Sequence, residues 1–360
     1  MISRRSVVVC GAWALGAPFI NRGRFSLFGS GPQADYSALT LDLVRGSTVI
    51  DMLGLLSLNY RKVLTWQSTP AAFRDTDFEK LRNSGTTVFH QSFGFVNGDV
   101  YSTSLRDIQG WNAFIAAHPD KFLRIDSRGD LECAKNQGKI GILIGQQNSQ
   151  HFRSVDDVDL FYRLGQRVSQ LTYNDNNLGG GSTDPKNQPL SQYGAHIVER
   201  MNSVGMAIDV SHCADRTTYD AIDASRKPVL VTHSNCRSLV SSPRCKTDQT
   251  IKAMAAKGGV MGITMVRTFV HSGGPASMNN VLDHIDHVAS VAGIEHVGLG
   301  SDVDLDGRDH GERKFDLDGV RYSNKIFDFT EGLVRRGYSR DNIELILGKN
   351  FQRALNDIWA

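Results

Sequence analysis

The feature that most limits what this chain can become is a series of short apolar runs separated by stretches with helical periodicity. The runs are STVIDML (47–53), TTVFHQ (86–91), KIGILIG (139–145), SQLTYN (169–174), MAIDVSH (206–212), PVLVTHS (228–234), VMGITMV (260–266) and HVGLGSD (296–302). FLRID (122–126) is a weaker ninth. Apolar runs without alternation suit strands covered on both faces, as in a parallel sheet. Helical patterns fall between them at 107–117, 154–166, 191–203, 215–225, 248–257 and 321–336. Eight strands interleaved with helices predict an α/β fold, a (β/α)8 TIM-like barrel, with an open doubly wound sheet as the alternative. Segment 175–190 reads as a long loop. SRDNIELILGKNFQRAL (339–355) reads as a closing helix or helix pair, with Ser339 as its cap.

The 360 residues, 40% hydrophobic and 22% charged, suffice for a substantial core without disulfide or metal staples. A single barrel domain is expected over 37–360. Forty Lys+Arg against 38 Asp+Glu leave a net charge of +2, which gives no reason to expect a nucleic-acid partner. Residues 1–30 stand apart. Arg4 and Arg5 precede an uncharged stretch from Val7 to Ile20, the pattern of a twin-arginine export signal, too short to span a bilayer comfortably. No later run approaches 18 apolar residues, so the mature chain is expected without a transmembrane segment, exported to the periplasm. Cys10 falls in the signal. Cys133, Cys213, Cys236 and Cys245 match no C-x-x-C pattern and are expected as buried free thiols, although an oxidising compartment would permit a bridge among the last three.

In such a barrel the chemistry sits at the C-terminal ends of the strands. Those ends offer Leu53 and Leu55, His90, Gln147, Tyr173 and Asn174, His212, His233 and Asp302. Two histidines ending consecutive strands project into one cup, and imidazole is a common ligand for Zn²⁺ or a related ion. A carboxylate on the last strand completes a pattern expected of a functional site. His284 and His287, spaced i,i+3, are expected on a helix face. Asp304 and Asp306 are read as mouth or turn residues, and Gly179–Gly181 is not a nucleotide fingerprint.

Four motifs, GMAIDVSH, PVLVTHSNCRSL, SPRCKTD and LDHIDHVASVAGIEHVGLGSDVDLDG, in this order, make the chain resemble the membrane (renal) dipeptidase family from about Val49 to the C-terminus. The resemblance implies a metal-dependent amidohydrolase barrel, dipeptide hydrolysis, a binuclear zinc site and a homodimer. It places His212 and His233 on the second metal, Asp302 as the proton-handling aspartate, and Arg244 near the substrate carboxylate. The first-strand signature of the family, D-G-H-x-D, is Asp51-Met52-Leu53-Gly54-Leu55 here, so leucines stand at both first-metal ligand positions. The bridging glutamate falls on Gln147 and a further histidine on Tyr173.

These departures predict at most one divalent ion, Zn²⁺ by preference, held by His212, His233 and Gln147 with Asp302 beside it. His90 is the expected second acid–base group or an added ligand; Tyr173 and Asn174 line the pocket with Arg244. The expected activity is hydrolysis of a dipeptide or other small amide by metal-activated water. The alternative is a non-hydrolytic descendant that binds or tailors a peptide-like small molecule.

Overall fold

The computed structural model describes residues 25–26, 35–95, 97–306 and 316–360; Arg4, Arg5 and Cys10 lie outside them. Eight parallel strands close on themselves: β1 (Ile50–Asp51), β2 (Val88–Phe93), β3 (Ile140–Gln146), β4 (Gln166–Gln170), β5 (Ala207–Asp209), β6 (Val229–Ser234), β7 (Met261–Ile263) and β8 (Val297–Leu299). Each pairs with the next, and Leu299 of β8 pairs with Asp51 of β1 to complete the ring. The fold is the (β/α)8 barrel expected. The weak ninth run forms a short strand, Phe122–Arg124, alongside the first half of β3. A two-residue antiparallel pair, Phe25–Ser26 with Asp35–Tyr36, precedes the barrel.

The barrel interior is filled by Ile50, Met52, Val88, Leu143, Val168, Ala207, Leu230 and Val260, all at most 1% exposed. Phe351, Leu355 and Ile358 of the last helix, Asn350–Trp359, pack against that cluster. A second and larger core fills the layer between strands and helices. The two clusters together hold the strand ends in place from both sides.

The expected strand at 169–174 is displaced. β4 begins at Gln166 because the preceding helix, Asp156–Arg163, stops at Gly165, whose φ of 106° only glycine adopts readily. Its polar residues are buried because each finds a partner. Arg167 pairs with Asp126 at 3.0 Å, and the Gln166 amide oxygen lies 3.0 Å from His151 Nε2. Leu171–Asn174 therefore lie beyond the strand, at the mouth.

The helix expected from 107 runs from Val100 to Ala117, and Asp99 caps its N-terminus by accepting from Ser102 N. The closing pair forms as expected, with the Ser339 hydroxyl accepting from Asn342 N. His284 lies on the helix Met278–Ala292, buried, with its Nδ1 accepting from Cys236 N at 3.1 Å. Cys133, Cys213, Cys236 and Cys245 are free, the last three buried. No helix among the described residues is long and apolar enough to cross a membrane.

Candidate active site

Four of the residues singled out from sequence, Tyr173, His212, His233 and Arg244, meet around the ends of β4 to β6. His212 follows β5 and His233 lies in β6, and their Nε2 atoms face each other at 3.0 Å. Behind them stands a buried relay. Asp209, the last residue of β5, accepts from the Thr232 hydroxyl through Oδ2 at 2.8 Å. Its Oδ1 accepts from Ser211 N, the Ser211 hydroxyl and Thr232 N at 2.9, 2.5 and 3.0 Å. Because the Thr232 hydrogen is spent on Asp209, its oxygen accepts from His233 Nδ1 at 2.8 Å. That assignment puts the His233 proton on Nδ1 and leaves the Nε2 lone pair facing His212.

Burial pushes the pKa of both imidazoles well down, and the neighbouring Arg244 and Lys246 cations push it further. Both rings are therefore neutral. Two nitrogens at this spacing are joined either by a hydrogen bond with the proton on His212, or by a shared cation at a bond length of about 2.0–2.1 Å.

Tyr173 stacks on the His212 ring, with centroids 4.1 Å apart and planes within 21°. Asn174, next in the chain, is exposed on the loop. Gln147 is 8% exposed; its Nε2 donates to Ser92 O at 2.8 Å, so its side-chain oxygen is the atom it has to offer a ligand. Arg244 is 5% exposed and spends its guanidinium on the backbone that carries the histidines. It donates to Ser211 O at 2.6 Å and His233 O at 2.9 Å, while its buried Nε has no partner. Lys246, which sequence reasoning passed over, donates to Val210 O at 2.8 Å and Cys213 O at 3.0 Å, fixing the turn that presents His212. Burial lowers its pKa to about 8.

His90 does not end its strand as expected. It sits mid-strand in β2, which runs on to Phe93, and is 1% exposed. Its Nδ1 donates to Met52 O at 2.6 Å, which leaves Nε2 as a lone pair over Gly145, buried and without a partner. Burial lowers its pKa, so the ring is a neutral part of the barrel interior. Asp302 follows β8 and is partly exposed, with its backbone N–H donating to Leu53 O at 2.9 Å. Its φ of 57° is a left-handed conformation rare outside glycine.

The two-ion centre implied by the resemblance does not fit. Leu53 and Leu55, 0% and 2% exposed, carry no donor. Gln147 is neutral where the bridging carboxylate would stand. Among the described residues no three His, Cys, Asp or Glu side chains converge on one point. One ion does fit the histidine pair, whose free lone pair on His233 is set by the relay.

The sequence profile of the membrane dipeptidases (peptidase family M19) matches residues 40–359. The dipeptidase verJ of Clonostachys rogersoniana is 33% identical over 225 residues, 61% of this chain and 56% of that protein. An uncharacterised dipeptidase of Schizosaccharomyces pombe is 31% identical over 266 residues, 71% of this chain and 62% of that protein. The chain thus spans less than two thirds of either curated relative. Among solved structures, an amidohydrolase from Pseudomonas aeruginosa is 28% identical, with a TM-score of 0.77 over 89% of this chain and 99% of that one.

Proposed function

Because the chain belongs to the membrane dipeptidase family, we propose that it hydrolyses the amide bond of a dipeptide or similar small amide with one divalent ion on His212 and His233. The observation that carries this reading is the imidazole pair, 3.0 Å between Nε2 atoms and oriented by Asp209 through Thr232. Zn²⁺ suits two neutral imidazoles best, with the Gln147 side-chain oxygen as the third ligand in this reading. When bound, such an ion supplies Lewis-acid polarisation of the amide carbonyl and acidifies water.

The chain's own residues do the rest. Asp302 accepts the proton of the attacking water on its carboxylate and delivers it to the departing amine nitrogen. Tyr173 covers one face of His212 and keeps bulk water from that side. Arg244, a buried cation behind the histidines, attracts a substrate carboxylate toward them through its charge. His90 drops out as a proton shuttle in this reading, because its one N–H is committed to a backbone carbonyl inside the barrel.

The test is to load the purified chain with Zn²⁺ and follow amine release from a panel of unblocked dipeptides. Hydrolysis that His233→Ala abolishes supports the reading. A zinc-loaded protein that binds dipeptides and cleaves none contradicts it and favours a non-hydrolytic binder.

A further inference from the structure

A fully buried ion pair lies beside Asp302. Lys325, the first residue of the helix Lys325–Arg335, and Asp51, the last of β1, are both 0% exposed, and Lys325 Nζ stands 3.1 Å from Asp51 Oδ2. The ammonium also donates to the Ser301 hydroxyl at 2.6 Å and to Val303 O at 2.9 Å. Asp51 in turn accepts from Ser301 N at 2.7 Å and from the Ser301 hydroxyl at 2.6 Å. The pair therefore grips the residue before Asp302 and the residue after it. Between those two points Asp302 turns through its left-handed φ of 57°, with its own N–H bound to Leu53 O at 2.9 Å.

The first strand is shaped to allow this. Gly54 bridges Val303 in parallel register, and a Cβ at Gly54 would stand 2.7 Å from the Asp51 Cβ. Any larger residue there would push Asp51 off Ser301. A non-glycine residue in a sparsely populated backbone region persists only where its surroundings over-determine it. Here the surroundings are one ammonium and one carboxylate brought together from opposite ends of the chain.

We propose that Lys325 and Asp51 are positioning residues that clamp Ser301 and Val303 and thereby hold the Asp302 carboxylate at the mouth of the barrel. This rests on the reading of Asp302 as the proton-transferring group. The clamp itself is separable from that reading, because it is a statement about the backbone at one position.

Removing Lys325 alone leaves a carboxylate buried without a countercharge and threatens folding. The variant of choice is therefore Asp51→Leu with Lys325→Met, a neutral pair of similar volume that can neither accept from Ser301 nor donate to Val303. Ser301→Ala, which keeps both charges paired, is the milder companion. Two readouts are taken on the whole chain. First, Asp302→Gly and Asp302→Ala are compared by thermal melting. With the clamp intact, glycine melts about 2–3 °C above alanine, because only alanine resists positive φ. In the neutral double variant, with neither an acceptor for Ser301 nor a donor for Val303, residue 302 relaxes and the gap closes; in Ser301→Ala it narrows.

Second, turnover is measured on the dipeptide that the wild type cleaves best. The double variant loses about 10–100-fold in kcat with KM changed less than about threefold, since a misplaced group costs rate rather than binding. A glycine–alanine gap that persists in both backgrounds overturns the clamp, whatever the activity. A gap that closes while kcat stays at the wild-type value overturns the positioning role. If no dipeptide is cleaved by the wild type, the proposed function fails, and the clamp stands or falls on the melting gap.

Discussion

His233 faces His212 across 3.0 Å with one ring nitrogen while the other is held 2.8 Å from the Thr232 hydroxyl. The position of the proton on His233 is thus decided by Thr232 and, behind it, by Asp209. Thr232→Val keeps the volume and removes the acceptor, so the Nδ1 proton is no longer fixed. Zinc affinity, measured by competition with a chelator, should fall about 10–100-fold, as is typical when the partner of a metal-binding histidine is lost. Unchanged affinity would mean that the hydroxyl does not set the tautomer.

Asp302 is expected to act on protons rather than on folding. Asp302→Asn retains shape and most hydrogen bonding but no longer accepts a proton. Turnover on a cleaved dipeptide should fall by about 10²–10⁴-fold, while the melting temperature changes little, because the mouth of a barrel is not its packed core. Near-wild-type turnover with zinc bound would remove Asp302 from the mechanism.

The stability of the fold should carry a signature of Asp107. This aspartate lies on the buried face of the helix Val100–Ala117, and its oxygens accept from Gln67 Nε2 at 3.2 Å and Gln146 Nε2 at 3.1 Å, with no cation among those partners. Burial raises its pKa to about 6, against about 3.9 in an unfolded chain. A raised carboxyl pKa means that the folded state holds the proton more tightly. Its stabilising contribution is full below pH 4 and is lost as pH rises through about 6, a change on the order of 2–3 kcal/mol. Asp107→Asn, with one glutamine amide turned over to match, should therefore melt several degrees higher than wild type at pH 8 and no higher at pH 4. Parallel melting curves at the two pH values would contradict the assignment.

Much of this was legible in the sequence, for identifiable reasons. The strands of the barrel are apolar on both faces, and runs such as KIGILIG announce themselves. β4, written Gln-Arg-Val-Ser-Gln, does not, because its polar groups are satisfied by partners on other elements, such as Asp126 and His151. The two histidines were visible because they follow apolar runs in neighbouring units. Asp209 and Thr232 were not, since each resembles any strand residue until the sheet brings them together. His90 lies mid-strand because its strand continues two residues beyond the apolar run TTVFHQ, to Phe93. Asp51 and Lys325 had no sequence signal as a pair, lying at opposite ends of the chain. An aspartate in an otherwise apolar first strand was the one available hint.

Arg4 and Arg5 lie outside the described residues, and export is tested apart from the fold. With both replaced by lysine, a reporter fused to the N-terminal segment should remain inside the cell, as expected of a twin-arginine signal. Unchanged export would end that assignment.

We propose that one ion, and not two, is held by the imidazole pair. Crystals of the zinc-loaded protein measured on both sides of the zinc absorption edge test it directly. A single anomalous peak per chain is expected, bonded to Nε2 of His212 and of His233 and lost in His233→Ala. Two peaks in the cup, or a peak beside Leu53 and Leu55 with none on the histidines, would contradict it.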